Sequence, residues 1–293
     1  MNNTFWAHIG LLFITFIWGT TFVVVQHAIS FVDPFTFNAI RFLLAGLILL
    51  FIQFLYPQKK TKKSILPGVL IGVFLFGGYL FQTFGLLYTT SSKAGFITGL
   101  SVVLVPLFSY IFFRHKTRML TILGVLVATV GLFLLMTERS LVLQKGDLLV
   151  LLCAISFALH IIVNGFFSKE YSPLFLSTIQ ILTVAFLSSL CAFAFEDYHR
   201  LFSVALWSNV FFVFSILLTA LVGTALAFFI QTAAQTYISP TRVAIILSTE
   251  PVFAALTGVF IANEKLTLSA LTGCACILSG MIFAELPAKK HPA

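Results

Sequence analysis

The chain has 293 residues, of which 60% are hydrophobic and 9% charged, with a mean hydropathy of +1.08; a soluble domain carries roughly a quarter charged residues, so a water-soluble globule is excluded. The net charge of +8 does not point to nucleic acid, because most Lys and Arg fall in short hydrophilic gaps between apolar runs, where they act as topology signals.

A hydrocarbon core about 30 Å thick takes about 20 apolar residues per helix. Runs such as LLFITFIWGTTFVVV and GVLVATVGLFLLM do not alternate, which argues against a β-barrel and leaves an α-helical bundle. Read between charges, prolines and glycines, the chain predicts ten spans, at about residues 5–25, 34–56, 66–88, 94–113, 119–137, 147–167, 173–195, 209–232, 240–262 and 267–286. The opening MNNTFWAHIG lacks the basic region of a cleaved signal and runs into a full-length span, so the first helix is expected to be kept. In a ten-span count, Lys59, Lys60, Lys62, Lys63, Arg114, Lys116, Arg118, Lys169, Arg242, Lys289 and Lys290 share one side. Lys93, Arg139, Lys145, Arg200 and Lys265 share the other. That asymmetry predicts a multi-pass protein of the cell membrane with both termini cytoplasmic. Cys153, Cys191, Cys274 and Cys276 all lie in apolar segments, with no spacing that suggests a disulfide framework or a metal site.

The sequence also repeats. DPFTFNAIRFLLAG from Asp33 lines up with SPLFLSTIQILTVA from Ser172, pairing Pro34 with Pro173 and Arg41 with Gln180. SSKAGFITGLSVVLVPL from Ser91 resembles SPTRVAIILSTEPVF from Ser239, and Gly124 and Gly131 match Gly273 and Gly280. Five helices per half is an odd number, so the second half would enter the membrane upside down. Inverted repeats of this kind build secondary transporters, with the solute site near the midplane between the halves.

These residues resemble the drug/metabolite transporter superfamily in its ten-helix EamA-type branch. The matching pieces are WGTTFVVV and DPFTFNAIRFLLAG in the first half and SPTRVAIILSTEPVFAALTGVFIANEKLTLSALTGCACILSGMIF in the second. Glu250, Pro251, Glu264, Lys265, Gly273 and Gly280 carry the most specific part of the match, whereas RHKTRM stands in the first half where the second has NEKLTL. The resemblance implies an all-α integral membrane protein of two inverted five-helix repeats, residues 1–140 and 141–293. It also implies export of small metabolites, often amino acids or their derivatives, by alternating access. No cofactor is implied; the expected partners are a small-molecule substrate and membrane lipid, and the chain is a monomer or homodimer.

Small residues recur at helical spacing in the fourth and ninth spans: Gly95, Gly99, Val102, Pro106 and Ser109, then Ala244, Ser248, Pro251, Ala255, Gly258 and Ala262. Such stripes let backbones approach closely, either as plain packing or as helices that line a path and move against each other. Pro106 and Pro251, paired by the repeat, each free the carbonyl four residues back, as a static bend or as a hinge. Glu250 lies about 16 Å into its span, where a charge costs several kcal/mol unless it is paired or neutral. It reads as a proton-coupling acid or as a permanently protonated carboxyl hydrogen-bonded between helices.

Arg41, about 10 Å deep, either snorkels to headgroups or meets a substrate carboxylate or Glu250 in a cavity. His160 and Asn164 share a helix face, as satisfied interior residues or as a pair that orients a polar solute. Trp18, Tyr79, Gln82, Thr98 and Ser101 complete the expected substrate pathway, core packing being the other reading of Trp18. Gln231 is expected at the interface, and Lys93 and Arg242 as interfacial anchors or gate-rim charges.

A membrane enzyme would need paired carboxylates, a serine with a base, or intramembrane metal ligands. No HExxH or GxSG occurs, and no Walker-type loop for an ATP-driven pump. A channel-like or lipid-flipping bundle is the competing class.

Overall fold

The computed structural model describes residues 3–56, 64–114, 117–136, 144–262 and 267–286. Lys59, Lys60, Lys62, Lys63, Lys116, Arg139, Glu264, Lys265, Lys289 and Lys290, used above for topology and family likeness, lie outside them.

All regular structure among the described residues is helical. In chain order it comprises α1 (Asn3–Ala28), α2 (Pro34–Leu55), α3 (Leu66–Gly85), α4 (Ser91–Gly99), α5 (Ser101–Phe113), α6 (Met119–Met136), α7 (Lys145–Phe167) and α8 (Pro173–Phe195). A 3₁₀ turn (Tyr198–Phe202), α9 (Val204–Ser208) and α10 (Val210–Leu217) follow, then a π-helical stretch (Leu218–Leu226) that continues into α11 (Ala227–Gln235). The chain closes with α12 (Pro240–Leu247), α13 (Glu250–Ala262) and α14 (Leu268–Glu285). Pro34, Pro173 and Pro240 open their helices after an extended Asp33, Ser172 or Ser239. Proline suits that position because its missing N–H has no intrahelical partner there in any case.

Among the described residues, seven helical segments are long and apolar enough to cross a membrane, including Lys93–Phe112, which runs through the turn at Leu100, and Val210–Gln235, and two shorter apolar helices lie at Met119–Leu134 and Leu268–Ala284. The polarity is inside out. Phe54, Phe193 and Val210 face outward, whereas Asn38, Arg41, His160, Asn164, Gln180 and Gln235 are buried. That distribution suits a chain whose solvent is lipid.

Helix boundaries recur along the chain. The end of α1 and the start of α2 return 139 residues later at the end of α7 and the start of α8. The starts of α4, α5 and α6 return 149 residues later at α12, α13 and α14, and so do the ends of α5 and α6. The fourth and ninth spans are each broken, at Leu100 and at Ser248–Thr249. The first break falls six residues before Pro106, which sits inside the continuous α5. The constant spacing therefore pairs Ser101, not a proline, with Glu250, and Pro251 with Val102; the proline pairing suggested by the sequence is corrected.

α6 packs along α14 and α2 along α8; α3 lies on α7 and α8, and α11 with its π-helical lead lies on α1 and α2. Glycine sets the α6–α14 contact. A Cβ on Gly124 would lie 2.5 Å from the Gly280 carbonyl oxygen, and one on Gly131 would lie 2.6 Å from that of Gly273. Residue numbers rise along one helix as they fall along the other, so the two run antiparallel.

Candidate functional site

Both helix breaks border one cavity. Its lining comes from α1 (Trp18, Thr21, Phe22, Val25), α2 (Arg41), α3 and the turn after it (Tyr79, Gln82, Leu86), the first break (Thr98, Gly99, Ser101), α7 (Phe157, His160, Ile161), α11 (Phe228, Gln231) and the second break (Leu247, Glu250). The space open to the centre of a water molecule is about 70 Å³, room for about five waters.

The lining obeys the repeat. At the spacing of 139, Trp18 pairs with Phe157, Thr21 with His160 and Phe22 with Ile161; at 149, Tyr79 pairs with Phe228, Gln82 with Gln231, Thr98 with Leu247 and Ser101 with Glu250. Ring contacts follow the same rule. Trp18 lies 5.4 Å from Phe228, its counterpart pair Phe157 and Tyr79 lie 5.5 Å apart, and Tyr79 and Phe228 meet each other at 6.1 Å. The cavity thus lies where equivalent surfaces of the two halves converge.

The charges break that symmetry. Arg41 is 3% exposed and does not snorkel. Its Nε donates to Thr224 Oγ1 at 2.7 Å, its Nη2 reaches Tyr79 Oη at 3.3 Å, and the guanidinium carbon sits 4.8 Å from the Tyr79 ring centre. Trp18 Nε1 donates to the Gly223 carbonyl at 2.8 Å, an acceptor supplied by the π-helical stretch. Glu250 stands at the first turn of α13, where helix N–H groups favour a carboxylate. Gly19 lets α1 come close there, since a Cβ on it would lie 2.6 Å from the Glu250 carbonyl oxygen. The Glu250 side chain makes no hydrogen bond or ion pair with any described residue.

Eight of the nine residues expected along a pathway line this cavity: Trp18, Arg41, Tyr79, Gln82, Thr98, Ser101, His160 and Glu250. Asn164 does not. It is fully buried and donates to Thr232 Oγ1 at 3.2 Å and to Gln235 Oε1, while Gln235 Nε2 donates to the Ile161 carbonyl. His160 Nε2 meets Gln180 Oε1 at 2.8 Å, and Gln180 Nε2 donates to Thr232 at 3.1 Å. Among the described residues of the small-residue stripe, only Gly99 lines the cavity; Gly95, Pro106, Pro251 and Ala255 lie along the broken helices, and Ser248 in the second break, outside it.

Gln231 corrects the sequence reading. It is 1% exposed and lines the cavity rather than marking an interface, and its Oε1 has no hydrogen-bond partner among the described residues. The constant spacing from Gln82 is the signal that identifies it. Lys93 is no open rim charge either, for it is 5% exposed and 3.4 Å from Asp147.

A family model described as the EamA-like transporter family matches twice, over residues 5–137 and 144–285. The chain belongs to this family. It is thus a multi-pass membrane protein of the drug/metabolite transporter superfamily. Its relatives include an uncharacterized transporter of Archaeoglobus fulgidus, 34% identical over 96% of this chain and 86% of the relative. The uncharacterized transporter YetK of Bacillus subtilis is 28% identical over 98% of this chain and 88% of its own length. A crystal structure 19% identical in sequence superposes with a TM-score of 0.78 over 95% of this chain and 96% of that one, which shows a shared fold.

Proposed function

We propose that this protein is a secondary transporter that exports a small polar or amphipathic metabolite, such as an amino acid or derivative, across the cell membrane by alternating access. Ten spans form two inverted halves, residues 1–140 and 141–293, with both termini cytoplasmic. The observation that carries the reading is the cavity whose lining recurs at the repeat spacing. The antiparallel α6 and α14, equivalent by that spacing, support a two-fold axis perpendicular to both and hence lying in the membrane plane. A site on such an axis serves each membrane face in turn when the halves exchange conformations. Arg41 offers a cation to a carboxylate and Glu250 an acceptor to an amine, while the aromatic rings suit an apolar side chain.

Purified protein in liposomes should show saturable counterflow of a metabolite identified by growth of an overexpressing strain on toxic analogues. Flux that fails to saturate would favour a channel, and movement of labelled lipid alone would favour a flippase.

A further inference from the structure

We infer that the buried network around Asn164 and Gln235 is the closed gate of the pathway, and that Val25 and Leu86 form the corresponding gate at the other end; this rests on the transporter reading above. At the spacings of 139 and 149, Val25 is the counterpart of Asn164, and Leu86 of Gln235. Val25 and Leu86 line the cavity, whereas Asn164 and Gln235 lie outside it, hydrogen-bonded to each other and wholly buried. Equivalent residues therefore stand in opposite states at the two ends of one cavity, which extends toward the α1–α2 and α3–α4 turns and stops short of the α7–α8 and α11–α12 turns.

The network also crosses the correct joint. α3 packs with α7 and α8, and α11 with its π-helical lead packs with α1 and α2, so these helices form two groups that meet along α2 and α8 and where α11 lies on α8. The bonds Asn164–Gln235 (α7 to α11) and Gln180–Thr232 (α8 to α11) tie one group to the other. At the open end α3 lies less extensively on α2 than α11 does on α8. When the groups rock, the amides of Asn164 and Gln235 pass into the water of the newly opened path, and Val25 and Leu86 pack against each other. Closure rests on side-chain amides at one gate and, beside the Gln26 contacts to the Leu86 and Thr89 carbonyls, on the apolar side chains of Val25 and Leu86 at the other.

The test exchanges the two chemistries. Spin labels on Lys169 and Tyr237 report the closed end, and labels on their exposed counterparts Ser30 and Tyr88 the open end. The background is a chain with its four cysteines replaced by alanine, reconstituted in nanodiscs. N164V/Q235L should raise the long-distance population of 169–237 roughly three- to tenfold, as loss of one or two intramembrane hydrogen bonds allows, and shorten 30–88. V25N/L86Q should instead narrow the 30–88 distribution. Unchanged 169–237 distances in a folded N164V/Q235L protein that retains counterflow overturn the gate and leave the transporter reading intact. Both pairs lengthening together also overturns it, because a gate of this kind opens one end as it closes the other. Absence of counterflow in the unmutated protein counts against the transporter reading itself.

Discussion

Glu250 and Arg41 are the two residues on which opposite charges meet the cavity, and each predicts a distinct defect. Glu250 has no partner among the described residues, so a proton or a cationic solute group is its natural complement. With Glu250 proposed as a proton-coupling acid, Glu250→Gln should abolish uphill transport and retain exchange in counterflow; an unaltered pH dependence of uphill transport would remove Glu250 from any coupling. Arg41→Gln places at Arg41 the amide of its counterpart Gln180. For a cargo with a carboxylate, loss of a charged hydrogen-bonded contact worth about 1.5–3 kcal/mol should raise the half-saturation concentration about 10- to 100-fold. An analogue lacking the carboxylate should be nearly indifferent, and equal losses for both would make Arg41 a structural residue. Before the fold is known, Arg41 has two readings because depth alone does not separate a snorkelling side chain from one turned inward. Its bonds to Thr224 and Tyr79 decide between them.

At the level of helices, one contact fixes α2 to the end of α8. The Glu196 carboxylate accepts from Phe35 N at 2.8 Å and from Thr36 N and Oγ1 at 2.7 and 2.9 Å, capping the start of α2. Burial lifts its pKa above the usual carboxylate range despite these bonds. A group whose pKa is raised by folding favours the protonated protein, so its contribution to stability is fullest below the unfolded value of about 4.3 and is lost as the pH climbs through the raised value. The melting temperature of the unmutated chain relative to Glu196→Gln should therefore fall as the pH rises from about 4 to about 7; a flat difference would show that the bonds offset burial.

The glycine contacts make a second prediction at this scale. Gly124→Val forces a side chain against the Gly280 backbone and should cost about 1–3 kcal/mol in thermal unfolding in detergent. Gly95→Ala, whose Cβ would meet only a Phe22 ring carbon at 3.8 Å, should be neutral or slightly stabilising.

For the molecule as a whole, the class and most helix starts were legible because lipid demands long apolar runs and proline marks first turns. The repeat was legible too, in Pro34 with Pro173 and Gly124 with Gly273. What misled was residue identity: matching Pro106 to Pro251 shifted the register of the broken helices by four residues, where the glycine spacing of 149 gives the pairing that the helix ends obey. That Asn164 lies beyond the cavity wall is not legible in the sequence, because a polar residue on a shared face with His160 carries no mark of whether its partners are solute or protein. Gln231 is the opposite case, since an amide near a span's end looks like an anchor until its neighbours are known. Polar side chains in lipid are legible as important and illegible as to which partner they keep.

The π-helical stretch has a bearing on how this chain tolerates changes in length. α3 is a regular helix, so removal of one residue within it would turn Tyr79 and Gln82 about 100° away from the cavity. The counterpart segment, Leu218–Leu226, already holds more residues per turn than an α-helix needs. Shortened by one, it can tighten to α-helical winding and leave Phe228 and Gln231 where they stand. One face of the cavity is thereby open to drift by deletion, while the other admits change only by substitution.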